Sequence, residues 1–490
     1  MSRGPGRDVN VVDGALIKPL IVLSLPIIAT NLLQVGYNIA DTFWVGRLGQ
    51  DAVSAISFSW AIVFLIITLA GGFAVAGTVL VAQNKGAGNL ETVDHVAGQT
   101  IGFVIAVSAV LSVLGYVFAP WLLSLVGAVP GTIVFELSVE YTRTIFLGIP
   151  FVFGFFIFQS LLQGWGDTRT PFYLMLFGVV LNVLIDPIFI LGFEDNILFE
   201  ALGLDALQAS LFAATGFAGF GVQGAAFATI LSRGLGAVIA FGLLLSGYVG
   251  LQPVVSDFWP KRETIREIIR IGAPASVEQS TTSLSVTILT ALVAIAGAEA
   301  VAAYGIGSRL VTLVVLPALG FARGTETVVG QNLGANQADR ARRAVLAAAG
   351  LIAIVLAGFS LAALMYSETL TAIFITGPDS GIVIEMGGDF LQIVGASFVF
   401  LGVFQIVQGG FRGSGSTRLA MIFSILGLLV IRIPAAYLGL TWFGLGETGV
   451  WYGIALSNVV IAVVVLAWFF RGTWTENVLD ERTDPAAAQD

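Results

Sequence analysis

The 490-residue chain has no cysteine, which excludes disulfides, thiol catalysis and cysteine-held metals. It has one histidine, His95, next to Asp94. A histidine-based metal centre is therefore excluded, and His95 reads as a solvated loop residue, with a proton relay as the alternative. Charge is also scarce. Asp, Glu, Lys and Arg make up 11% of the chain, against about 25% in soluble domains. There are three lysines (Lys18, Lys85, Lys261) and no basic patch, so nucleic acid is not an expected partner. No Gly-rich phosphate loop and no helical His-Glu pair occurs, which leaves ATP hydrolysis and metalloprotease chemistry without residues. No enzyme activity is expected. Residues 1–16 lack the apolar core and cleavage site of a signal peptide.

What is present is apolar length. The chain is 57% hydrophobic, with a mean hydropathy of +0.94. A helix crosses a hydrocarbon core of about 30 Å with roughly 20 apolar residues. The apolar runs are continuous rather than alternating, so helices are expected and not a barrel. Twelve spans are expected, at about 17–45, 52–82, 93–118, 132–161, 170–192 and 221–247, then 266–296, 300–330, 343–366, 381–410, 417–439 and 450–471. Arginines such as Arg169, Arg262, Arg340 and Arg471 fall beside the even-numbered connections or the C-terminus, while the odd connections hold almost none apart from Arg47. The positive-inside rule then places both termini in the cytoplasm of a cell (plasma) membrane. The net charge of −9, with acidic segments at 194–205 and 476–490, suits a salt-rich, halophilic setting.

An internal repeat sets the architecture. A shift of 248 residues aligns Pro26 with Pro274, Gly72-Phe73-Ala74 with Gly320-Phe321-Ala322, Gln83-Asn84 with Gln331-Asn332, and Gly86 with Gly334. Gly164 to Arg169 matches Gly413 to Arg418 at a shift of 249. Six helices per repeat return the chain to its starting side, so both halves share one orientation, with a cleft between them. The expected fold is all-α and integral to the membrane, in two pseudo-symmetric six-helix lobes. Its parts are a tail at 1–16, an N-lobe at 17–247, a linker at 248–265, a C-lobe at 266–471 and an acidic tail at 472–490. The 193–220 connection is expected outside, carrying a short surface helix.

Ionisable groups inside spans mark functional sites, because an Asp at a helix centre costs about 2.5–3.5 kcal/mol on insertion scales. Asp41 shares a helical face with Asn31, Gln34 and Asn38, and Asp186 shares one with Asn182. Counted at 1.5 Å per residue, Asp41, Asp186 and Thr229 lie roughly 6, 9 and 12 Å below the outer surface. Oxygen donors at one level suit a small hard cation such as sodium; alternatively, two close carboxylates share a proton. The bland reading is local capping. The second lobe does not repeat the site, since Leu289 stands opposite Asp41 and Ile433 opposite Asp186. It carries Glu278, Arg309, Arg323, Glu326 and Arg432 instead. Glu278 is expected toward the cleft, Arg323 and Glu326 as a local pair, and Arg309 and Arg432 as anchors. Pro26 and Pro274 each remove one helical hydrogen bond and are candidate hinges.

At these residues the chain resembles the multidrug and toxic compound extrusion (MATE) family, in its archaeal and DNA-damage-inducible-like branch. The carriers are Pro26, Asp41-Thr42-Phe-Trp-Val-Gly46-Arg-Leu-Gly49, Gln83 to Gly88, Gln163 to Thr168, Asn182 with Asp186-Pro187, and Gly224 to Thr229. The resemblance runs from about 17 to 471 and implies a V-shaped pair of lobes. It implies antiport of cationic or amphipathic organic compounds against sodium or protons, without another cofactor. It also implies an ion site at Asp41, Asn182, Asp186 and Thr229, with Gln34 and Tyr37 lining the cleft. Asn38, on the same face, and Glu278 complete the expected cleft set. A monomer in the lipid bilayer is expected. The rival expectation is a lipid or lipid-linked saccharide flippase, using Arg309, Arg323 and Arg432 for phosphate.

Overall fold

A computed structural model describes residues 9–375, 377 and 380–475. The first half forms α1 (Ile17–Gly46), α2 (Gln50–Gly86), α3 (Leu90–Leu125), α4 (Ile133–Trp165), α5 (Arg169–Leu191), the short α6 (Ile197–Ala201) and α7 (Asp205–Thr215), and α8 (Val222–Leu245). The second half forms α9 (Arg262–Ala296), α10 (Ala298–Gly334), α11 (Ala338–Ala372), α12 (Ser380–Gly395), α13 (Phe398–Gly413), α14 (Thr417–Ile425), α15 (Arg432–Thr441) and α16 (Glu447–Arg471). Among the described residues, eleven helices are long and apolar enough to cross a membrane, and twelve when α12 and α13, bent by 51°, count as one span.

Two expected continuous spans are thus interrupted. The α12–α13 break leaves backbone groups that hydrocarbon cannot satisfy. Ser360 Oγ takes the Gly395 carbonyl at 2.7 Å, and Ser397 Oγ donates to Val394 O and accepts from Asn458 Nδ2 at 2.9 Å. Between α14 and α15 the chain widens into a π-helical stretch, Leu426–Ile431, just before Pro434. Ser285 Oγ donates to its Leu428 carbonyl at 3.2 Å. Such irregularities carry polar partners that hydropathy does not display.

Each lobe has its own apolar core, and each borrows a helix start from the other. Leu20 and Leu23 of α1 belong to the second-half core, whereas Ile268, Ile271 and Ala275 of α9 belong to the first-half core. Glycines make the crossings close. A Cβ on Gly320 would sit 2.3 Å from Ile28 Cγ1, and one on Gly72 would sit 2.2 Å from the Ser276 backbone nitrogen. Small residues are what allow helices to associate where lipid supplies no hydrophobic drive. Pro26 and Pro274 lie within these crossings, both inside unbroken helices. Thr30 Oγ1 donates to the Pro26 carbonyl at 2.8 Å.

At the end of the molecule that carries the 166–168 and 414–416 turns, the repeat becomes reciprocal contact. Gln83 Nε2 donates to Gly413 O at 3.1 Å, and Gln331 Nε2 donates to Gly164 O at 2.9 Å. A Cβ on Gly86 would lie 1.9 Å from Gln331 O, and one on Gly334 would lie 1.9 Å from Gln83 O. Matching residues of the two repeats therefore hold each other across a pseudo-twofold axis. Both ends of the described chain sit there as well. Val9 N donates to Gly166 O at 3.3 Å, Asn332 Nδ2 to Val11 O at 3.1 Å, and Trp474 stacks on Phe469.

Two local expectations change. His95 is not a solvated loop residue. It lies in α3 and its Nδ1 is 3.0 Å from Asp257 Oδ1 of the inter-lobe linker, while Gln99 Nε2 donates to Asp257 O at 2.6 Å. The linker is thereby docked along α3. The 193–220 connection holds two short helices rather than one. Its Asn196 caps the end of α5 by donating to Pro187 O and Gly192 O at 2.8 and 2.7 Å. The acidic segment 476–490 and residues 1–8 lie outside the described residues.

Candidate functional site

Alternating three- and four-residue spacings put Gln34, Tyr37, Asn38 and Asp41 on one face of α1. Tyr37 and Asp41 are buried. Asp186 and Asn182 of α5 are fully buried, and Asn182 Nδ2 donates to Asp186 Oδ1 at 2.9 Å. Helix α8 reaches this point because Gly224 lets it cross α5 at backbone contact, a Cβ there falling 2.2 Å from Phe189 O. Thr229 then meets Tyr37, hydroxyl to hydroxyl, at 2.5 Å.

Three oxygens are left over. Asp41 Oδ1, Asp186 Oδ2 and Asn182 Oδ1 are buried with no protein hydrogen-bond partner. Leaving a buried acceptor unmade costs about 1–3 kcal/mol, more when it is charged. The donors are carboxylate, carboxamide and hydroxyl oxygens, the set a small hard cation prefers. Asp41 and Thr229 also front a cavity of about 450 Å³, along with Gln34, Tyr37, Asn38 and Arg233. Its apolar wall comes from Trp60, Phe64, Tyr141, Phe156 and Met175. Asp186 and Asn182 stand behind this wall rather than on it.

Glu278 was expected to face the cleft, but it does not line this cavity. It is buried in the second lobe, where Arg412 Nη1 reaches its Oε1 at 2.6 Å and Arg412 Nε reaches Glu326 Oε2 at 3.3 Å. Arg323 joins at 3.6 Å from Glu326, so the expected local pair exists but is the weaker arm of a larger cluster. Arg432 anchors its helix by donating to Ser457 Oγ at 2.9 Å and Asn458 Oδ1 at 2.7 Å. Arg412 is a buried residue in the last turn of α13.

The sequence reading also passed over Arg233. It is an intramembrane arginine one turn beyond Thr229, and any charge at that depth is a functional pointer. Its guanidinium donates to Gln34 Oε1 and to Met175 Sδ.

Eleven or twelve spans among the described residues, in two like lobes with a largely apolar cavity fronted by Asp41, fit a membrane transporter and not an enzyme. The MatE family model matches residues 26–188 and 274–438, once per lobe. The chain belongs to that family. It is 28% identical over 454 residues to the probable multidrug resistance protein YoeA of Bacillus subtilis (strain 168), covering 91% of each chain. It is 27% identical over 467 residues to the probable multidrug resistance protein NorM of Thermotoga maritima (strain ATCC 43589 / DSM 3109 / JCM 10099 / NBRC 100826 / MSB8), covering 94% of each. Among solved structures it resembles a multidrug resistance MATE family transporter in an outward-facing conformation. That match has a TM-score of 0.85 and 25% identity, and covers 97% of this chain and 99% of the other.

Proposed function

We propose that this transporter exports small amphipathic organic compounds from the cell by exchanging them for sodium ions or protons. The observation that carries this reading is the trio of unpartnered oxygens on Asp41, Asp186 and Asn182 beside the cavity. A cation or proton settling there neutralises charge that the protein leaves uncompensated. Multidrug relatives that align over nearly the whole chain support the export reading.

Helix α1 provides the transmission. Its second half carries Tyr37 and Asp41 in the first lobe, and its first half, Leu20 to Ile28, packs on the second. Ion binding at one end therefore biases how the lobes meet at the other. Pro26, between the two ends, is the proposed pivot, and Pro274 is its counterpart in α9. Substrate in the cavity touches the same face of α1. Exchange follows when ion and substrate each favour a different arrangement of that helix. The arginines near the 166–168 and 414–416 turns orient that end and both termini toward the cytoplasm of the plasma membrane. A monomer as the working unit is part of the same proposal. The flippase reading is not favoured. Two of the arginines it relied on, Arg323 and Arg432, are engaged by Glu326 and by Ser457 with Asn458.

The test is dye efflux from proteoliposomes under imposed sodium or proton gradients. Transport driven by either gradient, and lost in Asp41→Asn, is expected. Gradient-independent movement of the dye, or wild-type rates in Asp41→Asn, refutes the reading.

A further inference from the structure

Arg233 is an anomaly within the cavity. Its side chain is more than nine-tenths buried. Among the described residues, none of the ion pairs involves it. The guanidinium instead lies over three aromatic rings, with centroids at 5.2 Å for Tyr37, 5.2 Å for Phe155 and 5.8 Å for Phe156. Its two hydrogen-bond acceptors are neutral, the Gln34 carbonyl oxygen and the Met175 thioether, and the thioether is a weak acceptor. A guanidinium offers five N–H donors in a planar fork, two of which are used by Gln34 and Met175, and the residue lines the cavity.

The second lobe shows what this protein does with a buried arginine that has a structural role. Arg412 receives two carboxylates. Arg233 receives none, although a buried charge without a counter-charge is costly. Aromatic faces offset only part of that cost. Asp41 does not supply the remainder. Among the described residues Arg233 and Asp41 form no ion pair, and the Asp41 oxygens are assigned to the proposed ion site. The cavity is thus lined by one acid, Asp41, and one cation, Arg233, with Trp60, Phe64 and Tyr141 on its apolar wall.

We infer that Arg233 is a specificity-determining residue and that the cavity takes aromatic amphiphiles bearing a carboxylate, as zwitterions or anions. The ligand carboxylate accepts the guanidinium fork and displaces the Gln34 amide, which already has a second partner in Asn38, its Nε2 donating to Asn38 Oδ1 at 2.9 Å. The aromatic body lies against the apolar wall. A substrate amine, where present, points toward Asp41. This inference rests on the export reading and refines its substrate class.

The experiment uses a matched pair of fluorescent xanthene dyes, one with a free carboxylate and the other its methyl ester. Binding to purified full-length protein and gradient-driven transport in proteoliposomes are measured for wild type, Arg233→Met and Arg233→Lys. Wild type is expected to favour the acid over the ester. Arg233→Met is expected to lose acid affinity on the order of tenfold to a hundredfold, the range for a charge-assisted hydrogen bond, while keeping the ester. Arg233→Lys is expected to fall between, because it keeps charge without the fork. The ratio of the two dyes on one preparation does not depend on how much variant folds. An acid-to-ester ratio unchanged in Arg233→Met overturns the inference and leaves export standing. Wild type that moves neither dye under any gradient refutes the export reading instead.

Discussion

The two lobes share a chain path, a pair of crossing helices and a reciprocal glutamine–glycine contact, yet they treat buried acid in opposite ways. In the second lobe Glu278 and Glu326 are both claimed by Arg412. In the first, among the described residues, Asp41 and Asp186 form no ion pair, and three oxygens of Asp41, Asn182 and Asp186 go unpartnered. At the matching second-lobe positions stand Leu289 and Ile433. The fold repeats while the placing of buried acids does not. Acid with a built-in counter-charge stiffens a lobe; acid without one waits for a ligand.

The sharpest way to break this comparison is to neutralise each set in turn. Asp41→Asn and Asp186→Asn should each reduce gradient-driven dye efflux to the level of empty vesicles. Folded yield by size-exclusion chromatography should stay normal. Thermal stability should hold or rise by about 1 kcal/mol, because an uncompensated charge is removed. Arg412→Met should do the reverse. It strands Glu278 and Glu326, and a broken buried pair costs about 3–5 kcal/mol, readable as a lowered melting temperature in detergent. If Asp41→Asn destabilised as much as Arg412→Met, the distinction between the lobes would fail.

Two smaller tests bear on what the lobes share. Gly86→Ala and Gly334→Ala should each push the lobes apart at the termini-bearing end, since the new methyl meets a backbone carbonyl. Overpacking of this kind costs about 1–3 kcal/mol. The readout is labelling of Ala82→Cys, a buried site against Gly330, by a thiol reagent. The absence of native cysteine makes the signal unambiguous. Both variants should raise labelling equally. Gln83→Leu and Gln331→Leu each remove one reciprocal hydrogen bond and should raise it less, by about 1 kcal/mol of lobe closure. An effect confined to one partner would show that the pseudo-twofold contact is not shared.

Much of this architecture was legible in the sequence because the bilayer constrains it strongly. Long apolar runs gave the spans, and repeat spacing gave the lobes. Asp41, Gln34, Asn182 and Asp186 stood out because helical spacing puts polar groups on one face, whereas Tyr37 came from the family resemblance. Thr229 followed from small residues that permit a close crossing. The broken α12–α13 span was not legible, because Ser360, Ser397 and Asn458 repair it from distant parts of the chain. The fate of Glu278 was hidden for a similar reason: its partner Arg412 lies 134 residues away. Arg233 could have been found, since its position alone marks it as costly.

The account rests on which carboxylates sense the coupling ion, and difference infrared spectroscopy of the purified protein reads that directly. Adding sodium, or lowering the pH, should perturb carboxylate bands in wild type and in Glu278→Gln. The perturbation should vanish in Asp41→Asn and shrink in Asp186→Asn. A signal that survives in Asp41→Asn, or disappears in Glu278→Gln, would place the ion elsewhere and contradict the account.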